Sequence, residues 1–171
     1  EEQMGRLAAQ ALLEGHHRDI GVIELDPKDG EAAPGRRVGC EAYLERAGIP
    51  WNTVSVAVGH GTTRGGYAAA ARLLTDRPWL TGLVCGNDRM AMGAYDAIRE
   101  RGLRVREDVA VIGIDDQELI ADQVHPALTT VALPFEEMGK VAVSLLLALM
   151  EGEEVPVETL LPGKIVRRSS A

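Results

Sequence analysis

Three polar side chains stand where a chain of this pattern could bind a small molecule. Arg36, Asn87 and Asp115 each open the turn that follows a strand-like segment or its loop. A guanidinium fork, an amide and a carboxylate offer donors and acceptors in fixed planes, which is the chemistry that recognises the vicinal hydroxyls of sugars. The same residue types also serve as caps and solvated helix residues. Spacing alone therefore leaves a binding site and a structural role both open. Other constellations lead less far. His16, His17 and Asp19 do not make a metal site, because adjacent histidines leave a helix end in different directions. Asp115 and Asp116 would need a further strand-end aspartate and an opposing lysine to hold magnesium, and the only lysines are Lys28, Lys140 and Lys164. The run GHGTTRGG at 59–66 follows a strand and opens a helix, as a dinucleotide-binding turn does, but its glycine spacing is wrong. His60 forms no nucleophile elbow with a serine or cysteine. The expectation is no metal, no cofactor and no enzymatic activity.

The elements that position these groups centre on 82–116, GLVCGNDRMAMGAYDAIRERGLRVREDVAVIGIDD. Leu83, Val84 and Cys85 form a short apolar run of the kind that becomes a parallel strand buried on both faces. Asp88 stands at the expected N-cap of a helix whose stripe is Ala91, Ala94, Tyr95 and Ile98, and Gly102 ends it. A second apolar strand over 109–114 delivers Asp115 and Asp116 at its carboxyl end, where ligands bind in open parallel sheets. Upstream, the pattern predicts a helix over 2–14, a strand over 20–25, a polar loop over 26–35, a helix over 36–47, an apolar segment over 53–58 and a helix over 67–74. Downstream come a polar excursion to Val124, a strand over 129–133, a helix from Pro134 to Met150 and short closing strands within 160–166. Strands alternating with helices predict an α/β fold with a doubly wound parallel sheet and right-handed crossovers.

Composition narrows the function classes. The 171 residues suit about one domain, and with 46% hydrophobic but only 4% aromatic residues the core must be built from Ala, Val, Leu and Ile. A net charge of −8 offers no basic face to nucleic acid, so this chain by itself is not expected to bind DNA. Cys40 and Cys85 are too few for a disulfide framework, which favours a reducing compartment and a cytoplasmic location. No stretch has the length and apolarity of a membrane span. The chain begins without Met and inside a helical pattern with no capping residue, so it reads as a piece of a longer protein.

The stretch CGNDRMAMGAYDAIRERGLRVREDVAVIGIDD, followed by HPALTTVALPFEEMGKVAVSLLLALMEGE and preceded by MGRLAAQALLEGHHRDIGVI and GRRVGCEAYLERAGIP, resembles the effector-binding core of the LacI/GalR family of sugar-responsive repressors. The resemblance covers essentially the whole chain. It implies a type I periplasmic-binding-protein-like fold of two α/β lobes. Residues 1–15 would be the last helix of the first lobe, 16–128 the second lobe, 129–154 a return to the first, and 155–171 closing strands of the second. It implies effector contacts from Arg36, Asn87 and Asp115. His60 joins them, standing with Gly61 and Thr62 where the family usually places an aromatic residue. Met90, Met92 and Tyr95 would face a partner subunit in a homodimer, the alternative being a helix buried on two sides. Operator DNA would be met only through a helix-turn-helix outside this chain. A solute-binding protein of a sugar transporter shares the fold and is the alternative function.

Overall fold

In the computed structural model, which describes residues 1–30 and 32–171, six strands form one sheet in the order β2-β1-β3-β4-β5-β6. They are β1 (Ile20–Glu24), β2 (Ser55–Val58), β3 (Gly82–Cys85), β4 (Ala110–Asp115), β5 (Thr129–Ala132) and β6 (Lys164–Val166). The first five run parallel, and β6 closes the edge antiparallel to β5. The helices are α1 (Glu2–Glu14), α2 (Ala32–Arg46), α3 (Thr63–Asp76), α4 (Asp88–Glu100), the short α5 (Glu118–Ala121) and α6 (Phe135–Met150). The expected α/β doubly wound sheet is present. Its order reverses between β1 and β3, and a crevice opens at the carboxyl ends of strands at such a switch point.

Side chains alternate between the two faces of each strand, and this divides the core in two. On one side Val22, Val84, Ile112, Ile114 and Val131 meet Met4, Ala8 and Leu12 of α1 and Cys40 and Leu44 of α2. On the other, Ile23, Leu83, Cys85 and Val111 meet Ala70 and Leu73 of α3 and Met90, Tyr95 and Ile98 of α4. Glycines bring each helix pair close. A Cβ on Gly39 would lie 1.8 Å from the Glu2 carbonyl oxygen, and one on Gly93 2.0 Å from that of Thr63.

Several expectations are corrected. The helix expected over 36–47 begins at Ala32, because Pro34 falls in its first turn, where no intrahelical N–H is needed. The loop expected over 26–35 holds a 3-10 turn, Pro27–Asp29, and Glu31 lies outside the described residues. The helix expected from Tyr67 begins at Thr63, with the Thr62 hydroxyl accepting from Gly65 N. Of the glycines that echoed a nucleotide turn, Gly65 and Gly66 are thus helical residues at close packing contacts, while Gly59 and Gly61 precede the helix. Neither α1 nor β5 stands apart from this sheet: α1 buries Met4, Ala8, Ala11 and Leu12, and β5 pairs with β4. The expected placement of 1–15 and of the strand at 129–132 in the first lobe fails, since both complete the core that β3 and β4 begin. Among the α-helices of the described residues, only α6 has no buried residue. No helix among the described residues is long and apolar enough to cross a membrane.

Candidate functional site

The carboxyl ends of β1, β2, β3 and β4 carry the polar residues. Arg36 comes from α2, which connects β1 to β2, and Gly5 and Gly39 let α1 lie close enough to put Glu1 beside it. The Arg36 side chain is buried, and three of its nitrogens have fixed partners. Nε donates to Glu1 Oε2 at 2.7 Å, Nη1 to the Gly86 carbonyl at 2.5 Å, and Nη2 meets Asp115 Oδ1 at 3.0 Å. The guanidinium, beside the switch point, therefore ties β3's exit to β4's. Burial raises the Asp115 pKa, while Arg36 and Gln117 act to lower it. Gln117 Nε2 donates to Asp115 Oδ2 at 3.1 Å, so both carboxylate oxygens are engaged.

Asn87, next to Gly86, is the N-cap of α4. Its Oδ1 accepts from Met90 N at 2.9 Å and its Nδ2 donates to the Gly61 carbonyl at 3.1 Å. The cap expected at Asp88 is one residue earlier because Asn87 has the extended backbone, φ −157° and ψ 171°, that an N-cap requires. Capping and the Gly61 bond use half of the Asn87 amide, so its capacity toward a ligand is one remaining N–H and one lone pair of Oδ1. His60 lies farther out, with Nδ1 3.3 Å from Asp26 Oδ2 and most of its ring in solvent. Arg36 and Asp115 thus touch directly, Asn87 joins them through the Gly86 backbone, and His60 stands on the rim.

The family described as periplasmic binding protein-like domain matches residues 4–171. The ribose operon repressor of Haemophilus influenzae is 35% identical over 167 residues, 96% of this chain and 50% of that protein. A dimeric lac repressor structure covers 99% of this chain and 61% of its own at 32% identity, with a TM-score of 0.90. A cellobiose complex of the transcriptional regulator CelR is 35% identical, with a TM-score of 0.89, over 99% of this chain and 52% of its own. The chain belongs to the LacI family of periplasmic-binding-protein-like domains. It spans about half the length of the curated relatives it matches. These relatives are repressors, which leaves the transporter alternative less supported.

Within this LacI-family domain, Met90 and Tyr95 do not face outward as expected of an interface. Both are buried between α4, α3 and the sheet, and the Tyr95 hydroxyl donates to the Pro126 carbonyl at 2.9 Å. α3 covers the second apolar face of α4, so the helix is buried on two sides, and of Met90, Met92 and Tyr95 only Met92 is partly exposed. Sequence reasoning also missed four participants. Glu1 and the Gly86 carbonyl hold Arg36 and leave no signal in residue type. Glu24 ends β1 with Oε1 buried and unpaired and Oε2 3.5 Å from Arg37, and burial raises its pKa. Asp88 is fully buried, accepting from Thr130 Oγ1 at 2.6 Å and Gln117 N at 2.7 Å. Its place beside Asn87 made it look like a cap. Burial pushes its carboxyl up to about 7, against the lowering effect of those two hydrogen bonds.

Proposed function

We propose that this chain is the effector-binding unit of a LacI-type transcriptional repressor and takes a polyhydroxy compound, a sugar or sugar derivative, at the switch point between β1 and β3. The observation that carries the reading is the buried pair of Arg36 and Asp115 at the carboxyl ends of parallel strands. The fork and the carboxylate are each fixed by further partners, so they are already placed to meet adjacent hydroxyls. Asn87 and the rim residue His60 complete the ligand set. A ribose repressor among the relatives and a cellobiose-bound regulator among the neighbours support the substrate class. In this reading the sheet described here forms one wall of a cleft, α6 lies with the opposite lobe, and effector shifts the balance between two lobe orientations. Regulation of transcription places the protein in the cytoplasm. It binds operator DNA through a part of the protein other than these residues, which carry a net charge of −8. A homodimer partner would meet Met92, which is partly exposed; sedimentation of the whole protein as a monomer at micromolar concentration would remove that element.

Calorimetric titration of the whole protein with D-ribose and with cellobiose tests the site. A hydrogen bond to a charged group contributes about 1.5–3 kcal/mol, so Asp115→Ala should weaken binding by roughly one to two decades. Unchanged affinity in that variant would take Asp115 out of the site.

A further inference from the structure

Asp115 sits in a turn whose backbone is unusual. Its φ is 119° and that of Asp116 is 55°, two consecutive non-glycine residues with positive φ. Such residues are strained and persist only where surrounding contacts over-determine them. Arg36 holds the side chain of the first and Arg168 Nη2 that of the second, at 2.8 Å. Side-chain partners do not fix the path of the main chain as it leaves the turn. That is fixed at Gln117, whose N–H donates to Asp88 Oδ2 at 2.7 Å and whose own side chain returns to Asp115.

Asp88 is well built for this task. It belongs to the first turn of α4, which follows β3, so it carries the position of the β3 exit across to the β4 exit. Thr130 of β5 donates to its other oxygen and prevents the carboxylate from rotating. The carboxylate lies flat on β4, where a Cβ on Gly113 would fall 2.1 Å from Oδ1; only glycine leaves the space. We propose that Asp88 is a positioning residue for the effector site, acting through the Gln117 main chain to set the Asp115 carboxylate against Arg36. Asp88 itself is fully buried and touches no effector. The proposal rests on the reading of Asp115 as an effector ligand, but its first test needs no effector.

Asp88→Ala, Asp88→Asn and Thr130→Val are compared in the whole protein by amide hydrogen exchange. Asp88→Ala should quicken exchange at Gln117 by about tenfold beyond the change at amides of α3, as expected for a lost buried hydrogen bond. Asp88→Asn should restore protection, since its carbonyl can accept from Gln117 N while its amide donates to Thr130 Oγ1. Thr130→Val removes the bond that stops the carboxylate from rotating but leaves its acceptor oxygen, and should quicken Gln117 beyond α3 by less than Asp88→Ala does. If Asp88→Ala does not fold, Gly113→Ala supplies the same test by displacing the carboxylate, and the same selective quickening is expected. Exchange at Gln117 that follows α3 in every variant would overturn the proposal. A double-mutant cycle with D-ribose as probe then joins the two sites. Asp88→Ala should weaken binding about tenfold when Asp115 is present and not at all in an Asp115→Ala background. Equal losses in both backgrounds would make Asp88 merely structural and overturn it. A wild-type protein that binds no ribose would count against that choice of sugar, while the exchange comparison still decides the role of Asp88.

Discussion

α4 and α6 are helices of similar length and opposite fate. α4 buries Asp88, Met90, Ala91, Gly93, Ala94, Tyr95, Ala97 and Ile98, whereas α6, richer in large aliphatic residues, buries none. Leu146, Leu147 and Leu149 of α6 are each more than half exposed. The difference lies in small residues and in neighbours. Gly93, Ala94 and Ala97 let α4 settle against α3 and the sheet at backbone distance, so its few large side chains find pockets. α6 leaves β5 through Leu133 and Pro134 and, among the described residues, buries none of its side chains against this sheet. Apolar content states that a helix needs cover; only the topology states whether the cover is near.

The largest effect that could break this comparison is a truncation in α4. Met90 is fully buried, its sulfur filling the space a Cβ on Gly59 would take. Met90→Ala should cost about 2–5 kcal/mol in urea unfolding, through lost burial and the cavity left behind. A loss below about 1 kcal/mol would mean that α4 is a loosely held helix and that its burial contributes little.

A smaller effect concerns charge. α4 opens with a buried carboxylate, whereas α6 opens with solvated ones, Glu136 paired with Lys140 at 2.7 Å and Glu137. Burial raises Asp88 from 3.8 to about 7, so the folded state holds this proton more tightly than the unfolded chain does. The sign follows directly: the contribution of Asp88 to stability is greatest below its unfolded value, falls as pH rises through the interval up to about 7, and is level above that. Asp88→Asn should flatten this slope and leave stability at pH 8 no lower than in the wild type. Parallel slopes in the two proteins would show that the buried carboxylate stays ionised throughout.

Much of the architecture was legible because it depends on pattern. Apolar runs at 83–85 and 109–114 were parallel strands, and the stripe on 2–14 was a helix. Arg36 and Asp115 were legible as a pair because residues at strand ends of one sheet converge. What was illegible depends on neighbours distant in sequence. Nothing local distinguishes Asn87 from Asp88 as the cap; the choice is made by Thr130 and Gln117, which capture Asp88 from across the sheet. The interface expected of Met90 and Tyr95 came from the resemblance, and it fails at contacts distant in sequence: a Cβ on Gly66 of α3 would lie 2.2 Å from the Met90 carbonyl, and the Tyr95 hydroxyl donates to the Pro126 carbonyl. The assignment of α1 and β5 to another lobe failed for the same reason, since strand order is not written in any one segment.

The smallest effect on stability is expected in α6 itself, and it sharpens the comparison most. Leu147 is 54% exposed, so truncating it removes little surface that folding had taken from water. Leu147→Ala in the 171-residue chain should change the unfolding free energy by no more than about 0.5 kcal/mol, the range of ordinary surface substitutions. The same face should still act on association. Leu146, Leu147, Leu149 and Met150 present adjacent apolar surface, and soluble monomers rarely leave such patches uncovered. Sedimentation velocity should therefore show concentration-dependent self-association of this chain, weakened by Leu146→Lys with Leu149→Lys while the urea midpoint stays in place. If Leu147→Ala instead cost as much as Met90→Ala, α6 would be packed within this chain after all, and its contrast with α4 would disappear. If association were absent and unaffected by the lysines, the exposed stripe would need no cover, and α6 would not be the element that joins this sheet to an opposite lobe.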